Sequence, residues 1–398
     1  MSQPLEQLLV RLKDWLVLQC PPAAQGLVAA LIPAAAIVAV FASLFALTTL
    51  LERKGLGRLQ NRLGPNRVGP FGVLQPLADG LKMLIKEDIV PRDADRLVHL
   101  LAPVAMVVPV LLAYAVLPFG QRLVAVNFDA GILFFFAAGA TTELAVFMAG
   151  WSSRNKYSLL GAMRAIAQMI SYEVPLILSA MTAVMAAGSL SLVDIVGSQA
   201  GYHWGWLPRW HAFTPWGFAG LLLFTIAATA ESNRTPFDIP EGESEIIAGH
   251  LVEYSGFKYA LFFLGEYLGM FAVSGLGITL FLGGWHAPVP ALEWVPSVAW
   301  FFAKLFGFIF LFIWLRGTLP RLRTDQLMNF AWKFMVPMVL VNLMVTAVWH
   351  FTRSWHFSGA GLWRWLVGAL LLAGPYLWLG RALAGGRRFG PRSYHYAS

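Results

Sequence analysis

The chain has 398 residues, of which 58% are hydrophobic and only 13% charged, and its mean hydropathy is +0.64. A soluble domain carries roughly 25% charged residues, so the composition excludes an ordinary soluble fold and makes the bilayer the solvent. The formal net charge of +8 reads as Lys and Arg fixing topology on one membrane face rather than as a nucleic-acid footprint.

The sequence holds one cysteine, Cys20. It excludes an intrachain disulfide and a cysteine-held iron–sulfur cluster. There is no Walker sequence and no Gly-rich dinucleotide fingerprint, so electron or nucleotide chemistry belongs to a partner. His99, His250 and His350 lack metal-ligand spacing and read as structural or interfacial, with no metal expected.

In chain order, Leu5, Leu8, Leu9, Leu12 and Leu16 recur at helical spacing, which predicts an interfacial amphipathic helix within residues 1–25, ended by Pro21 and Pro22. A first span follows over about 27–51, with Pro33 inside it. A basic, Gly- and Pro-rich stretch runs from Glu52 to Pro91. Inside it, Leu74, Leu77, Leu81, Leu84 and Ile85 share one helical face, and Gln75, Asp79, Lys82 and Lys86 the other. This predicts a short helix over 71–87 lying along the interface or under the bundle.

Further spans are predicted over about 98–119, 130–151, from the 154–173 segment to 188, 216–231, 258–283, 297–316 and 332–350. A ninth apolar segment covers about 361–384. Lys and Arg crowd into the loops after the first, third, fifth and seventh spans. By the positive-inside rule these loops are cytoplasmic and the N-terminus outside. The expected fold is therefore an all-α polytopic membrane protein. Its core covers 26–351, and an extra hydrophobic segment with a basic tail covers 352–398.

A carboxylate inside a span costs roughly 2.5–3.5 kcal/mol to insert, and such acids mark ion or proton routes. Glu143, Glu173, Glu231 and Glu266 lie within or at the ends of spans. A second acidic cluster, Glu241, Glu243, Glu245 and Glu253, follows Asp238. Asp238, Pro240 and Glu241 look like a helix start. Glu241 and Glu245 form a like-charge pair that costs helix stability. A solvated acidic loop or a docking face for basic residues is the plainer explanation. The interleaved Ile246, Ile247, Ala248 and Leu251 favour partial burial and shared protons instead. Most Arg of the first loop serve topology; Asp79 reads as a polar group facing a cavity together with Arg53.

Three stretches resemble one family. ERKGLGRLQNRLGPNRVGPFGVLQPLADGLKMLIKED and ESNRTPFDIPEGESEIIAGHLVEYSG resemble the two signatures of the H subunit of proton-pumping NADH:quinone oxidoreductase, respiratory complex I. RNKYSLLGAMRAIAQMISYE resembles that family's loop between the third and fourth spans. The resemblance implies an eight-span core, here with a ninth segment added. It implies a quinone chamber beneath the soluble arm, with Arg53 and Asp79 as quinone-binding positions. Glu143, Glu173, Glu231, Glu241, Glu243, Glu253 and Glu266 become proton or coupling-channel positions.

The resemblance further implies quinone as substrate and no iron–sulfur cluster, flavin or nucleotide in this chain. The implied partners are the soluble-arm subunits carrying the terminal iron–sulfur cluster, small membrane subunits and antiporter-like subunits. The implied location is a bacterial plasma membrane. A rival is the equivalent component of a membrane-bound hydrogenase or formate hydrogenlyase. A stand-alone secondary transporter would show inverted repeats, which are not seen, and a purely structural anchor would leave the intramembrane acids without a purpose.

Overall fold

The structure is a computed structural model and describes residues 4–238, 247–354 and 360–384. Apolar runs of spanning length become helices because a backbone in lipid must satisfy its own polar groups. The helices are α1 (Pro4–Leu18), α2 (Pro22–Leu59), α3 (Gln75–Ile85), α4 (Arg96–Ala113), α5 (Gly131–Ser152), α6 (Lys156–Ala187) and α7 (Leu192–Ser198). They continue with α8 (Pro215–Glu231), α9 (Gly256–Phe281), α10 (Ser297–Thr318), α11 (Thr324–Phe330), α12 (Val336–Phe351) and α13 (Ala360–Ala384). Among the described residues, eight helices are long and apolar enough to cross a membrane, and α8 is a shorter apolar helix. The fold is all-α and polytopic. Its strands, Tyr202–His203 and Leu207–Pro208, form a two-residue hairpin in the loop before α8.

Side-chain caps set several helix starts. Asp95 accepts from the Val98 amide at 3.3 Å, Asn155 from Tyr157 at 2.9 Å and Thr214 from Gly217 at 3.2 Å. Each replaces a hydrogen bond the first helical turn cannot make for itself. The bundle is built around α9: 72% of its apolar window is buried, against 11% for α2 and for α13. Phe224, Phe271, Leu276 and Phe281 fill the centre. Beyond the end of α9, the Lys304 ammonium donates to the carbonyls of Leu282, Gly284 and His286 at 2.7, 2.8 and 2.7 Å. These bonds fix the loop on the side opposite the basic stretches.

Two boundaries differ from the sequence reading. The first span is not 27–51: α2 starts at Pro22, where a missing N–H costs nothing, and continues to Leu59. Glu52 and Arg53 are thus helical, not the start of a loop. The helix persists through Gly55 and Gly57 because the close packing there needs them. A Cβ on Gly57 would stand 3.0 Å from the Arg62 carbonyl oxygen and the Gly64 amide. The short helix is 75–85 rather than 71–87, preceded by a 3-10 turn at Pro70–Gly72. The ninth apolar segment is helical, and α13 packs on α8 and α12. Glu241, Glu243 and Glu245, with the helix start expected at Asp238–Glu241, fall wholly or partly outside the described residues.

Candidate functional site

At the polar end of α2, Arg53 meets Asp79 of α3, Nη1 to Oδ2 at 2.5 Å. Gln75 donates to the other carboxylate oxygen at 3.0 Å, and Lys82 stands 3.9 Å away. So α3 turns its polar face to the bundle, while Leu77, Leu81, Leu84 and Ile85 are exposed on this chain.

Successive helix residues point about 100° apart, so Glu52 turns inward where Arg53 turns out. It is buried and gathers partners from distant segments. Arg234 Nη1 lies 3.3 Å from Glu52 Oε1, Arg316 bonds the same oxygen, and the Tyr267 hydroxyl donates to Oε2. The Arg234 guanidinium lies over the Tyr267 ring at 4.0 Å, a cation–π contact. Burial strips Arg234 of solvent, yet Tyr267, Glu52 and Glu266 hold it above the ordinary arginine range. The sequence reading puts Glu52 at the end of a span and misses this cluster. The partners lie 182, 215 and 264 positions away, and the available signal was an Arg at the end of the seventh span and another in the second signature.

Both groups line one cavity of about 420 Å³. Its charged rim is Glu52, Arg53, Asp79 and Arg316, and its apolar walls include Phe45, Leu56, Met83 and Phe263. That volume is in the range of small-molecule pockets, about 300–1,000 Å³, and so is the design, a few placed polar groups in an apolar slot.

Arg234 links this cavity to the interior. A second space of about 60 Å³ is lined by Glu231, Glu266, Asn233 and Thr142, enough for about two waters at roughly 30 Å³ each. Glu231 is close enough to Glu173 and Glu143 to feel their charge, and Glu143 and Glu173 lie near each other on α5 and α6. Glu143, Glu173, Glu231 and Glu266 therefore form one polar tract running inward from the Glu52 cluster. Glu253 stands apart: Asn155, the cap of α6, donates to it at 2.7 Å.

The two polar stretches meet. Lys258 pairs with Asp88 at 2.8 Å, and Ser255 Oγ accepts from the Ile89 amide at 2.8 Å. Gln168 donates to the carbonyls of Ala230 and Phe237 at 2.8 and 2.7 Å, which ties the 232–238 loop to α6. Asp238 pairs with Arg321 at 2.7 Å. Burial pushes its carboxyl up, and Arg321 opposes that only in part. The predicted structural histidines include His99, stacked on Tyr254 at 4.0 Å, and His250, which burial pushes down to about 4. Among the described residues no cluster of three or more His, Cys, Asp or Glu could hold a metal.

The geometry is that of a polytopic α-helical membrane protein with ionisable groups threaded through its bundle. Residues 32–347 match the family model described as NADH dehydrogenase, and the chain belongs to that family. The NADH-quinone oxidoreductase H subunit of Geobacillus kaustophilus (strain HTA426) is 50% identical over 310 residues, 77% of this chain and 89% of the relative. The protein of that name from Dehalococcoides mccartyi (strain CBDB1) is 52% identical over 297 residues, 75% and 80% of the two chains. The Brevibacillus brevis protein of that name is 46% identical over 318 residues, 80% and 92%. The family match stops before α13.

Proposed function

We propose that this chain is the membrane component of a proton-translocating NADH:quinone oxidoreductase that corresponds to the H subunit of its relatives. In this reading it forms the quinone-binding chamber and begins the path that couples quinone reduction to proton movement. The observation that carries it is a single cavity that holds both the Arg53–Asp79 pair and the Glu52 cluster, with the tract of acids leading away from it.

A quinone has a flat polar head and an apolar tail. The charged rim suits the head oxygens and the aromatic and aliphatic walls suit the ring and tail. Reduction takes up protons as well as electrons. The electrons come from an iron–sulfur centre on a soluble-arm partner, and this chain supplies no redox group. A change of charge in the cavity acts on Arg53–Asp79 and on Glu52. Arg234, which feels both Glu52 and Glu266, then passes the change to Glu266, and Glu231 shares the small space with Glu266. The small water-sized space between Glu231 and Glu266 is where a proton crosses between them. Glu241 and Glu243 belong to the same route by family resemblance, and so by resemblance does Glu253, although it stands apart on the cap of α6. The basic loops lie on the cytoplasmic face of a bacterial plasma membrane, where the soluble arm docks, and antiporter-like subunits receive the far end of the tract.

A photoreactive quinone analogue added to the assembled complex tests the chamber. Labelling of peptides from α2, α3 or α9 is expected, and labelling confined to other subunits overturns it. Glu231→Gln tests coupling separately: quinone reductase activity and proton pumping fall together, and normal values of both overturn the role of the tract.

A further inference from the structure

Behind the cavity wall lies a third, wholly different space. An apolar slot of about 410 Å³ opens between α8, the last turn of α10 and α11, lined among others by Thr225, Ile226, Phe237, Leu315, Leu319 and Phe330. Taking about 30 Å³ per water-sized group, it has room for a chain of a dozen or so methylenes. Its threonines do not make it polar. Thr225 gives its hydroxyl to the Leu221 carbonyl at 2.7 Å and Thr229 to Ile226 at 2.7 Å, so methyl groups face the space. Gln326, at the rim, spends its side-chain oxygen on the Arg323 amide at 3.2 Å. Nothing in the slot recognises a polar head.

Charge gathers at one end only. Leu322 lines the slot, and its neighbours Arg321 and Arg323 are exposed. Each has one acidic partner, Asp238 at 2.7 Å and Asp325 at 3.2 Å, and a guanidinium has five donors, more than one carboxylate can use. An apolar slot beside the end of the membrane-length helix α10, open to its surroundings and headed by two guanidinium groups on the side of the basic loops, matches a lipid with an anionic head. We propose that the slot binds one acyl chain of an anionic phospholipid from the leaflet next to the basic loops, with its phosphate on Arg321 and Arg323.

The bound lipid would stand back to back with the charged cavity. Leu315 and Leu319 face the slot while Arg316, between them in the same turn, reaches Glu52. The Leu322 amide also donates to the Pro236 carbonyl at 3.1 Å, which joins the slot's floor to the loop that carries Arg234. An occupied slot holds this turn in place; an empty one leaves one face of it unsupported. The lipid site does not depend on the quinone reading, because lipid binding is measured without turnover.

The test uses the assembled complex, stripped in detergent and titrated with phosphatidylglycerol or phosphatidylcholine, with retained lipid counted by native mass spectrometry. Thr225→Trp fills the slot, Thr225→Val keeps its shape, and Arg323→Gln keeps the slot but removes head charge. Wild type and Thr225→Val should retain one more phosphatidylglycerol than Thr225→Trp. Arg323→Gln should lose roughly fivefold of the preference for phosphatidylglycerol over phosphatidylcholine, and it carries the test alone if Thr225→Trp does not assemble. Equal retention in the filled and open forms overturns the site, as does an unchanged lipid preference in Arg323→Gln. A photoreactive quinone tail that labels Leu319 or Phe330 makes the quinone the occupant and also overturns it.

Discussion

Replacing Glu52 by Gln removes a single charge on which Arg234, Arg316 and Tyr267 all depend. Gln keeps the size of the side chain and an acceptor for the tyrosine hydroxyl, so the change isolates charge. The Glu52 and Arg234 side chains are only 8% and 11% exposed. Breaking a buried pair by removing one partner costs about 3–5 kcal/mol. Arg316 is 36% exposed, so water screens it and it adds little. The expected loss is about 3 kcal/mol, on the order of a hundredfold in an equilibrium constant. It should appear as lost hydrogen-exchange protection over residues 232–238 and as lower kcat/KM for quinone. A double-mutant cycle sharpens the assay. Arg316→Gln alone leaves the Glu52–Arg234 pair, and combining it with Glu52→Gln takes a cation away with the anion. Because water screens Arg316 in part, the coupling should be about 0.5–1 kcal/mol. Effects that simply add, or a Glu52→Gln enzyme within twofold of wild type, would refute the idea that this carboxylate organises the cavity.

Asp79→Asn should leave assembly intact, because Arg53 is half-exposed and such a pair is worth about 1 kcal/mol or less; KM for quinone should rise several-fold, and an unchanged KM argues against Asp79 as a headgroup contact. Gly161→Ala should destabilise the chain by about 1–3 kcal/mol, since its Cβ would stand 2.5 Å from the Gly249 Cα; reduced incorporation into membranes checks it, with Gly197→Ala, which meets nothing within 4 Å, as control. His250 gives a pH prediction. Burial lowers it from 6.5 to about 4, so the folded chain binds fewer protons than the unfolded one between those values. Stability from this group is fully present above about pH 6.5 and is lost, by about 3 kcal/mol, as pH falls through 4. Thermal inactivation of the assembled complex at pH 7 and pH 5 should therefore differ less in His250→Leu than in wild type; an equal difference in both removes His250 as the cause.

The spans could be read from the sequence because hydrophobic length is a local property, and every apolar run did become a helix. The Arg53–Asp79 meeting was also legible: Asp79 lies on the polar face of a short amphipathic helix, where an acid has no use for anionic lipid. What could not be read was the end of α2. Residues 52–59 contain three basic residues and two glycines, a composition typical of loops. They are helical because Glu52 is neutralised by arginines far along the chain and because the glycines admit backbone at contact distance. Neither fact has a local signature. For the same reason Glu52 looked like the edge of a loop when it is the centre of a cluster. Glu253 shows the converse. It shares a motif with the other acids, yet the turn at Gly249 to Leu251 carries it to the cap of α6.

The unbroken length of α2 has a mechanical consequence. At 38 residues it is about 57 Å long, nearly twice the roughly 30 Å hydrocarbon thickness. Its interior holds one proline, Pro33, far from the charged end, and the stretch beyond Pro33 is a stiff rod. Glu52, Arg53 and Lys54 ride on its tip. Pivoting that stretch by about 5° moves the tip by roughly 3 Å, about the length of a hydrogen bond. A displacement of the tip is thus carried, undamped by any further proline, along the helix to Pro33. A spin-label pair on α2 and α9, read with the quinone analogue bound and absent, would measure that travel directly.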